Sequence, residues 1–336
     1  MAFNLKLKRI AQFSFLLFLI VGTVFILKRH KPTVLHHYSG SIFGTVYNIK
    51  YVGKDSLESQ ILAELHCVDL SLSMFNPNST VSRINTNKSS QTDEMLCEVF
   101  TQSKKISQQT QGAFDVTVAP LVNAWGFGYK NKTDLTDRQV DSLLAFVGMD
   151  KIRLVEERIV KNDERIMLDF SSVAKGYAVD RIARLLTKHS VNDFMVEIGG
   201  EVVARGQHPD GRPWEIGIAQ PANNGNHIQK VLRVKDKALA TSGNYRRFYV
   251  KNGKRYAHTI NPHTGKPIQH DVLSATVMAP DCATADAYAT AFMVLGKKRT
   301  QEVLSKHSEI AAFLIYTVEN GDYATWASQN FQDEKD

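Results

Sequence analysis

The sequence predicts an α+β fold of mixed, largely antiparallel sheets with flanking helices, preceded by one N-terminal transmembrane helix. Three observations predict it. Strand-like and helix-like segments are mixed without a regular βαβ alternation, which argues against a doubly wound parallel sheet. Turn signals such as Asn252-Gly253 join strand-like runs over short distances, as in hairpins. Finally, Ile10 to Leu27 is apolar apart from Gln12, Ser14, Gly22 and Thr23. At about 1.5 Å per residue, such a helix matches a bilayer core.

The apolar run ends in Lys28-Arg29-His30-Lys31-Pro32, with no small-residue cleavage site after it. An uncleaved anchor is therefore favoured over a cleaved signal peptide. Basic residues flank both sides, so charge bias sets orientation weakly, and the free amino terminus tips it toward a cytoplasmic N-terminus and an exported body. The expected organisation is a cytoplasmic segment 1–9, an anchor 10–27, a linker 28–37 and one domain 38–336. Within that domain Phe43 to Val52 alternates as a first strand. Leu57 to Leu72 puts Ile61, Leu62, Leu65, Val68 and Leu72 on one helix face. Asn76-Pro77-Asn78 breaks that helix. Glu94 to Gln109 reads as a second helix, Lys151 to Leu168 as a strand pair, and Val179 to Lys188 as a helix begun near Ser172. Phe194 to Ala204 is a strand interrupted by Gly199-Gly200. Trp214 to Ala219, Val231 to Leu239, Leu273 to Met278 and Ala311 to Thr317 are further strands, and Phe248 to Tyr256 carries the Asn-Gly hairpin. The polar tail after Ser328 is expected to fray.

The net charge of +7 suggests nucleic acid, but six of the cations (Lys6, Lys8, Arg9, Lys28, Arg29 and Lys31) fall in residues 1–31, where there is no acid. The remainder carries only about +1, and no basic stripe interleaved with aromatics is present. The three cysteines, Cys67, Cys97 and Cys282, form no CxxC pair and no zinc spacing. They are expected to be buried small hydrophobes, and none lies near the apolar run to accept a lipid.

Chemistry concentrates in a few segments. In Ala283 to Ala291, Asp286 and Thr290 are four residues apart in an alanine-rich helix, one turn apart on one face. A carboxylate and a hydroxyl there suit Mg²⁺, which takes a few protein oxygens and fills its shell with water and phosphate. Taken alone, an exposed carboxylate on an amphipathic helix is the commoner outcome. In Leu168 to Asp180 a strand ends and Ser171 or Ser172 is expected to cap a helix. The amides and dipole at that end attract an anion, with Lys175 adding charge. GxxxxGK[ST] is absent, so this is no P-loop. Gly112 to Gly128 sets small residues beside aromatics, and Asp115 is available to a ring N–H or a ribose hydroxyl. Gly199-Gly200 marks a bulge or a close backbone approach. Thr241 to Arg247 is a Gly-bearing loop able to meet phosphate or merely a hairpin turn. His258 precedes Pro262 and Thr264-Gly265 in a turn-rich loop and is placed to take a proton from a hydroxyl.

These blocks, in this order, resemble the ApbE family of flavin transferases, which move FMN from FAD onto a protein threonine. The resemblance covers most of residues 40–300: Phe43-Gly44-Thr45, Met74 to Asn85, Gly112 to Gly128, Asp169 to Asp180, Glu197 to Gly200, Ser242 to Tyr245, His258 to Gly265 and Ala285 to Gly296. It implies a metal site of the Ala174 carbonyl, Asp286 and Thr290. It implies FAD contacts at Phe43, Phe75, Ala113, Phe114, Asp115, Ser171, Tyr177 and Ile260, and His258 as base. Phe43 stands where Met is usual, Phe75 where Tyr or Trp is usual, and Asn261 where Asp is usual. The implied function is Mg²⁺-dependent FMN transfer to membrane redox subunits carrying a Ser/Thr motif, at a bacterial inner membrane with the domain facing the periplasm. FAD hydrolysis to FMN and AMP, and a non-catalytic flavin carrier, are the alternatives.

Overall fold

A computed structural model describes residues 12–23, 33–128, 135–221, 228–244, 248–251, 254–319 and 322–333, with 248–251 and 254–256 as backbone only. Residues 12–23 form helix α1, whose side chains are almost all exposed. Among the described residues no helix is long and apolar enough to cross a membrane. The expected anchor at 10–27 extends past α1 on both sides, outside the described residues.

The body starts earlier than the boundary expected at Tyr38, because β1 (Val34–Ile42) pairs along its whole length with β2 (Thr45–Gly53). The two meet at Phe43-Gly44, both with positive φ (52° and 71°), so the stretch from Phe43 opens on a turn and becomes strand only at Thr45. Then follow α2 (Glu58–Leu72), α3 (Thr80–Asn85), α4 (Glu94–Gln109), α5 (Ala119–Ala124) and α6 (Asp137–Leu144). The expected helices at 57–72 and 94–109 are thus present. Leu62 is a correction, since it is exposed while Ile61, Leu65, Val68 and Leu72 are buried.

The hairpin β3 (Ile152–Val155) and β4 (Arg158–Lys161) leads to α7 (Ala174–Lys188). Next come β5 (Phe194–Ile198) and β6 (Glu201–Arg205). Gly199 and Gly200 lie between them with φ of 69° and 106°, and Ile198 pairs with Glu201. The glycines therefore make a two-residue hairpin turn, the conformation that demands left-handed backbone twice in a row, and not a bulge. β7 (Trp214–Ala219) pairs with β8 (Ile228–Val234), and β9 is Lys237–Gly243, so the expected strand 231–239 is split in two. The hairpin β10 (Phe248–Lys251) and β11 (Lys254–Ala257) is present, its Asn252-Gly253 turn lying outside the described residues. β12 (Val272–Ala279), α8 (Cys282–Leu304), β13 (Ala311–Thr317) and β14 (Tyr323–Ala327) complete the chain.

Eight strands form one sheet in the order β1-β2-β5-β6-β9-β12-β13-β14, every neighbouring pair antiparallel. Its two faces are both covered. Ala312 and Leu314 point into the large core with α7 and α8, while Ala311, Phe313 and Ile315 pack with Trp214, Ile218, Leu232 and Val234 of the β7–β8 hairpin. Double coverage is why β13 reads as a continuous apolar run without polar alternation. Phe331 is buried and stacks on Phe313 with ring centroids 5.6 Å apart, so the tail past Ser328 is docked at least to that residue and does not fray there. Cys282 is buried, but Cys67 is exposed and Cys97 half-buried, and all three are free thiols.

Helix α8 carries Asp286 and Thr290 and is buried along most of its first half. Ala283, Ala285, Ala287, Ala289 and Ala291 are all buried. Small side chains let α7 come close: a Cβ on Gly176 would run into the carbonyl of Cys282 and the Cα of Ala283. At Gly296 the backbone turns to φ 71° and the helix kinks. There His270 Nε2 donates to the carbonyl of Met293 (2.5 Å), and its Nδ1 accepts from Val272 N (3.2 Å), which fixes the neutral tautomer.

Candidate active site

The N-terminus of α8 is held to the second turn of α7 through a carboxylate. Asp180 accepts from the backbone N–H of Cys282 (2.9 Å) and Ala283 (2.8 Å), two donors that the first turn of α8 would otherwise leave unpaired. Burial, and then the charge of Asp281, push its carboxyl up to about 7. Asp281 caps α8 through Thr284 N (2.8 Å), and Gln102 of α4 donates to both Asp281 Oδ1 and Thr284 Oγ1 at 2.8 Å. Three helices are thereby fixed around one corner.

One turn further along α8, Asp286 is only 2% exposed. Its Oδ2 accepts from the backbone N–H of Gly176 at 3.1 Å, in the first turn of α7 that Ala174 opens. The expected carboxylate on a solvent face is thus excluded. Thr290 follows one turn later, its Oγ1 3.1 Å from Ser242 Oγ at the end of β9. Ser242 is therefore in the cluster as the end of β9 facing α8, and 245–247 of the expected loop lie outside the described residues. Lys175 reaches back over the corner. Its Nζ lies 2.9 Å from Glu201 Oε1 and 3.7 Å from Asp286 Oδ2. Both carboxylate side chains are 3% exposed. Burial raises the carboxyls of Asp286 and Glu201, the latter to about 7, with Lys175 pulling the other way. Burial also acts to lower Lys175, but the charges of Asp286 and Glu201 overcome it and hold the ammonium well above its ordinary value.

Glu201 is the residue that sequence reasoning missed. An acid at the head of a strand otherwise reading Val-Val-Ala was the available signal. The cap expected from Ser171 or Ser172 is a correction: Val173 occupies the N-cap of α7 and its own side chain makes no cap, the first turn being met instead by Asp286 of α8. Instead Ser171 N donates to Asp169 Oδ1 (2.8 Å), and Ser171 is exposed. The amides of this end pair otherwise, Val173 N and Ala174 N with Phe170 O (3.0 and 2.8 Å) and Gly176 N with Asp286.

A second group forms beside the first. Asp169 N donates to Val116 O (2.7 Å), which joins the segment after Ala113-Phe114-Asp115 to the one before Ser171. Ala113 and Phe114 are core residues, each 1% exposed. Asp115 Oδ1 accepts from Thr117 N (2.7 Å) and Thr117 Oγ1 (2.6 Å), so that oxygen is committed to its own turn. Ile260 packs with Leu121, Val140 and Val147. Trp125 Nε1 donates to Gly265 O (2.7 Å), and His258 meets the edge of Phe127 with centroids 6.4 Å apart. The 258–265 loop is thus held on the 112–128 segment. Phe43 packs half-buried against the core in its turn, whereas Phe75 is 58% exposed. Tyr177 is buried, and its hydroxyl donates to Glu98 (2.8 Å) on α4.

Residues 43–314 match the model of the ApbE family. This chain belongs to the ApbE family. It is 35% identical to the FAD:protein FMN transferase of Vibrio cholerae over 90% of this chain and 93% of that protein. It is 36% identical to that of Haemophilus influenzae, over 90% and 92%. Among solved structures, the flavin transferase ApbE from Vibrio cholerae superposes with a TM-score of 0.82 at 35% identity, covering 89% of this chain and 99% of that one. The apo flavinyl transferase ApbE of Pseudomonas stutzeri gives 0.81 at 32% identity, covering 89% and 96%. As an ApbE protein the chain has the expected α+β class with its large antiparallel sheet.

Proposed function

We infer that this chain is an FAD:protein FMN transferase, moving FMN from FAD to an acceptor protein. Membership of the ApbE family over most of the chain supports the reaction, and the α7–α8 corner supports where it occurs. The observation that carries the assignment is the burial of Asp286 against the first turn of α7.

The acceptor group is a threonine hydroxyl, and the reaction takes Mg²⁺. The donor chemistry fits that ion: one carboxylate (Asp286), hydroxyls (Thr290, with Ser242 beside it) and the Ala174 carbonyl are all hard oxygens. Among the described residues there is no cluster of three His, Cys, Asp or Glu to hold a metal by itself. A site of this kind leaves coordination positions to water or to substrate phosphate oxygens, which suits the FAD pyrophosphate. When bound, the ion neutralises charge on the pyrophosphate and polarises the phosphorus on the FMN side.

The chain's residues do the rest by positioning. The start of α7, where the helix dipole favours an anion, faces the pyrophosphate. The FAD contacts implied at Phe43, Phe75, Ala113, Phe114, Asp115, Ser171, Tyr177 and Ile260 divide into accessible ones, Phe75, Ser171 and the half-buried Phe43, and buried ones that shape the wall behind them. His258 takes the proton from the acceptor hydroxyl as its oxygen bonds to the FMN phosphorus, and the bond to AMP breaks. The acceptors are membrane redox subunits with a Ser/Thr motif. Residues 10–27 anchor the chain in the bacterial inner membrane with the domain facing the periplasm, which raises the effective concentration of such acceptors.

Incubating the protein with FAD, Mg²⁺ and a candidate acceptor tests this. Covalent flavin fluorescence on the acceptor with release of AMP is expected. Free FMN and AMP with an unmodified acceptor indicate hydrolysis instead, and unchanged FAD indicates a carrier.

A further inference from the structure

We propose that Glu201 and Lys175 form a positioning pair that sets divalent-cation affinity at Asp286, with Glu201 acting through Lys175. The proposal rests on the metal reading above and goes beyond it.

Lys175 Nζ faces two buried carboxylates and is unequally shared, 2.9 Å from Glu201 and 3.7 Å from Asp286. Glu201 thus draws the ammonium off Asp286. Asp286 retains one firm partner on Oδ2, the Gly176 N–H at 3.1 Å, and that bond fixes the carboxylate's direction without adding a full charge. Glu201 has a second oxygen, Oε2, that is buried and has no hydrogen-bond partner among the described residues. A buried unpaired carboxylate oxygen is costly, and it is retained where the charge serves a purpose. Here the charge counterbalances an ammonium that would otherwise settle on the metal-binding carboxylate. Glu201 is also rigidly placed. The Gly199-Gly200 turn fixes its backbone, and Ile198 pairs with it across the hairpin. Lys175 is fixed at the other end because α7 is pinned to α8 at Gly176 and Asp180.

The charges dictate the sign of each substitution. In Glu201→Gln the ammonium loses its nearer anion, pairs fully with Asp286 and competes with the divalent ion. In Lys175→Met/Glu201→Gln both charges leave together, and Asp286 is again open to the ion. The glutamate-to-glutamine change should therefore matter only when the lysine is present.

The test is Mn²⁺ binding to the purified full-length protein, followed by isothermal titration and by loss of the free-ion paramagnetic resonance signal. Thermal unfolding of each variant is recorded alongside. Glu201→Gln is expected to raise the Mn²⁺ Kd by about tenfold or more, the scale of residues that support metal ligands. The double variant is expected to bind within about threefold of the unsubstituted protein, a non-additivity that a general loss of packing does not produce. Unchanged Mn²⁺ affinity in Glu201→Gln overturns the proposal and leaves the metal reading standing. So does an equal loss in the single and double variants. Mn²⁺ binding that survives Asp286→Ala intact overturns the metal reading itself, and the positioning role with it.

Discussion

At the residue scale, function depends on a few buried polar groups whose partners the chain itself supplies. Asp286 and Thr290 were legible in the sequence, since helical spacing alone puts them on one face. The burial of Asp286 was not, because it depends on α7 arriving from more than 100 residues away, and Thr290 is only half-buried. Glu201 was illegible for the same reason: its partner, Lys175, lies on a different element. His258 was legible as a histidine in a turn-rich loop, and its hold on the 112–128 segment follows from Phe127. His258→Ala should lower FMN transfer by about 10²- to 10⁴-fold, the range of a lost general base, while leaving FAD binding intact. Stopped-flow transfer and flavin fluorescence titration check the two halves. Asp180 gives a pH prediction. Its folded carboxyl is held at about 7, above the ordinary value of 3.8. Between those values the folded state binds more protons than the unfolded state, so this group's contribution to stability falls as pH rises through that window. Relative to Asp180→Asn, the unsubstituted protein should lose urea-midpoint stability from pH 4 to pH 7. Parallel midpoints for the two proteins across that range would count against it.

At the element scale, the corner exists because α7 and α8 approach closely. The approach requires Gly176 and the small alanines of α8, which keep bulky side chains out of the closest contact. Gly176→Ala should cost about 1–3 kcal/mol through overpacking and should weaken metal binding as well, because the same residue supplies the N–H to Asp286. Chemical denaturation with and without Mn²⁺ measures both effects. Phe292, fully buried against the sheet, should cost about 3–5 kcal/mol when cut to alanine. The elements themselves were largely legible: periodicity located α2, α4 and β13 to within a residue. Hairpins were read less well. Gly199-Gly200 looks like an interrupted strand in one dimension, and only pairing of Ile198 with Glu201 reveals a turn. The first strand, Val34–Ile42, was missed because its residues alternate between exposed and half-buried, and no apolar stripe marks an edge strand of that kind.

At the scale of the whole molecule, one antiparallel sheet carries the helical site on one face and the β7–β8 hairpin on the other. That sheet explains how distant blocks of sequence meet, since β5, β6, β9 and β12 deliver Glu201 and Ser242 beneath α8. The order of motifs along the chain reveals the family, but their convergence is a property of strand order and not of local pattern. Removing residues 1–33 should release the protein from membranes while preserving FMN transfer to a soluble acceptor fragment. Vesicle flotation and the fluorescence assay together check this. The decisive measurement is anomalous diffraction from crystals soaked with FAD and Mn²⁺. A manganese peak bound to the Asp286 carboxylate and the Thr290 hydroxyl, with flavin pyrophosphate oxygens completing its shell, is the expected result. Density for FAD elsewhere on the molecule, with Lys175 still seated between Glu201 and Asp286 and no peak between α7 and α8, would contradict it.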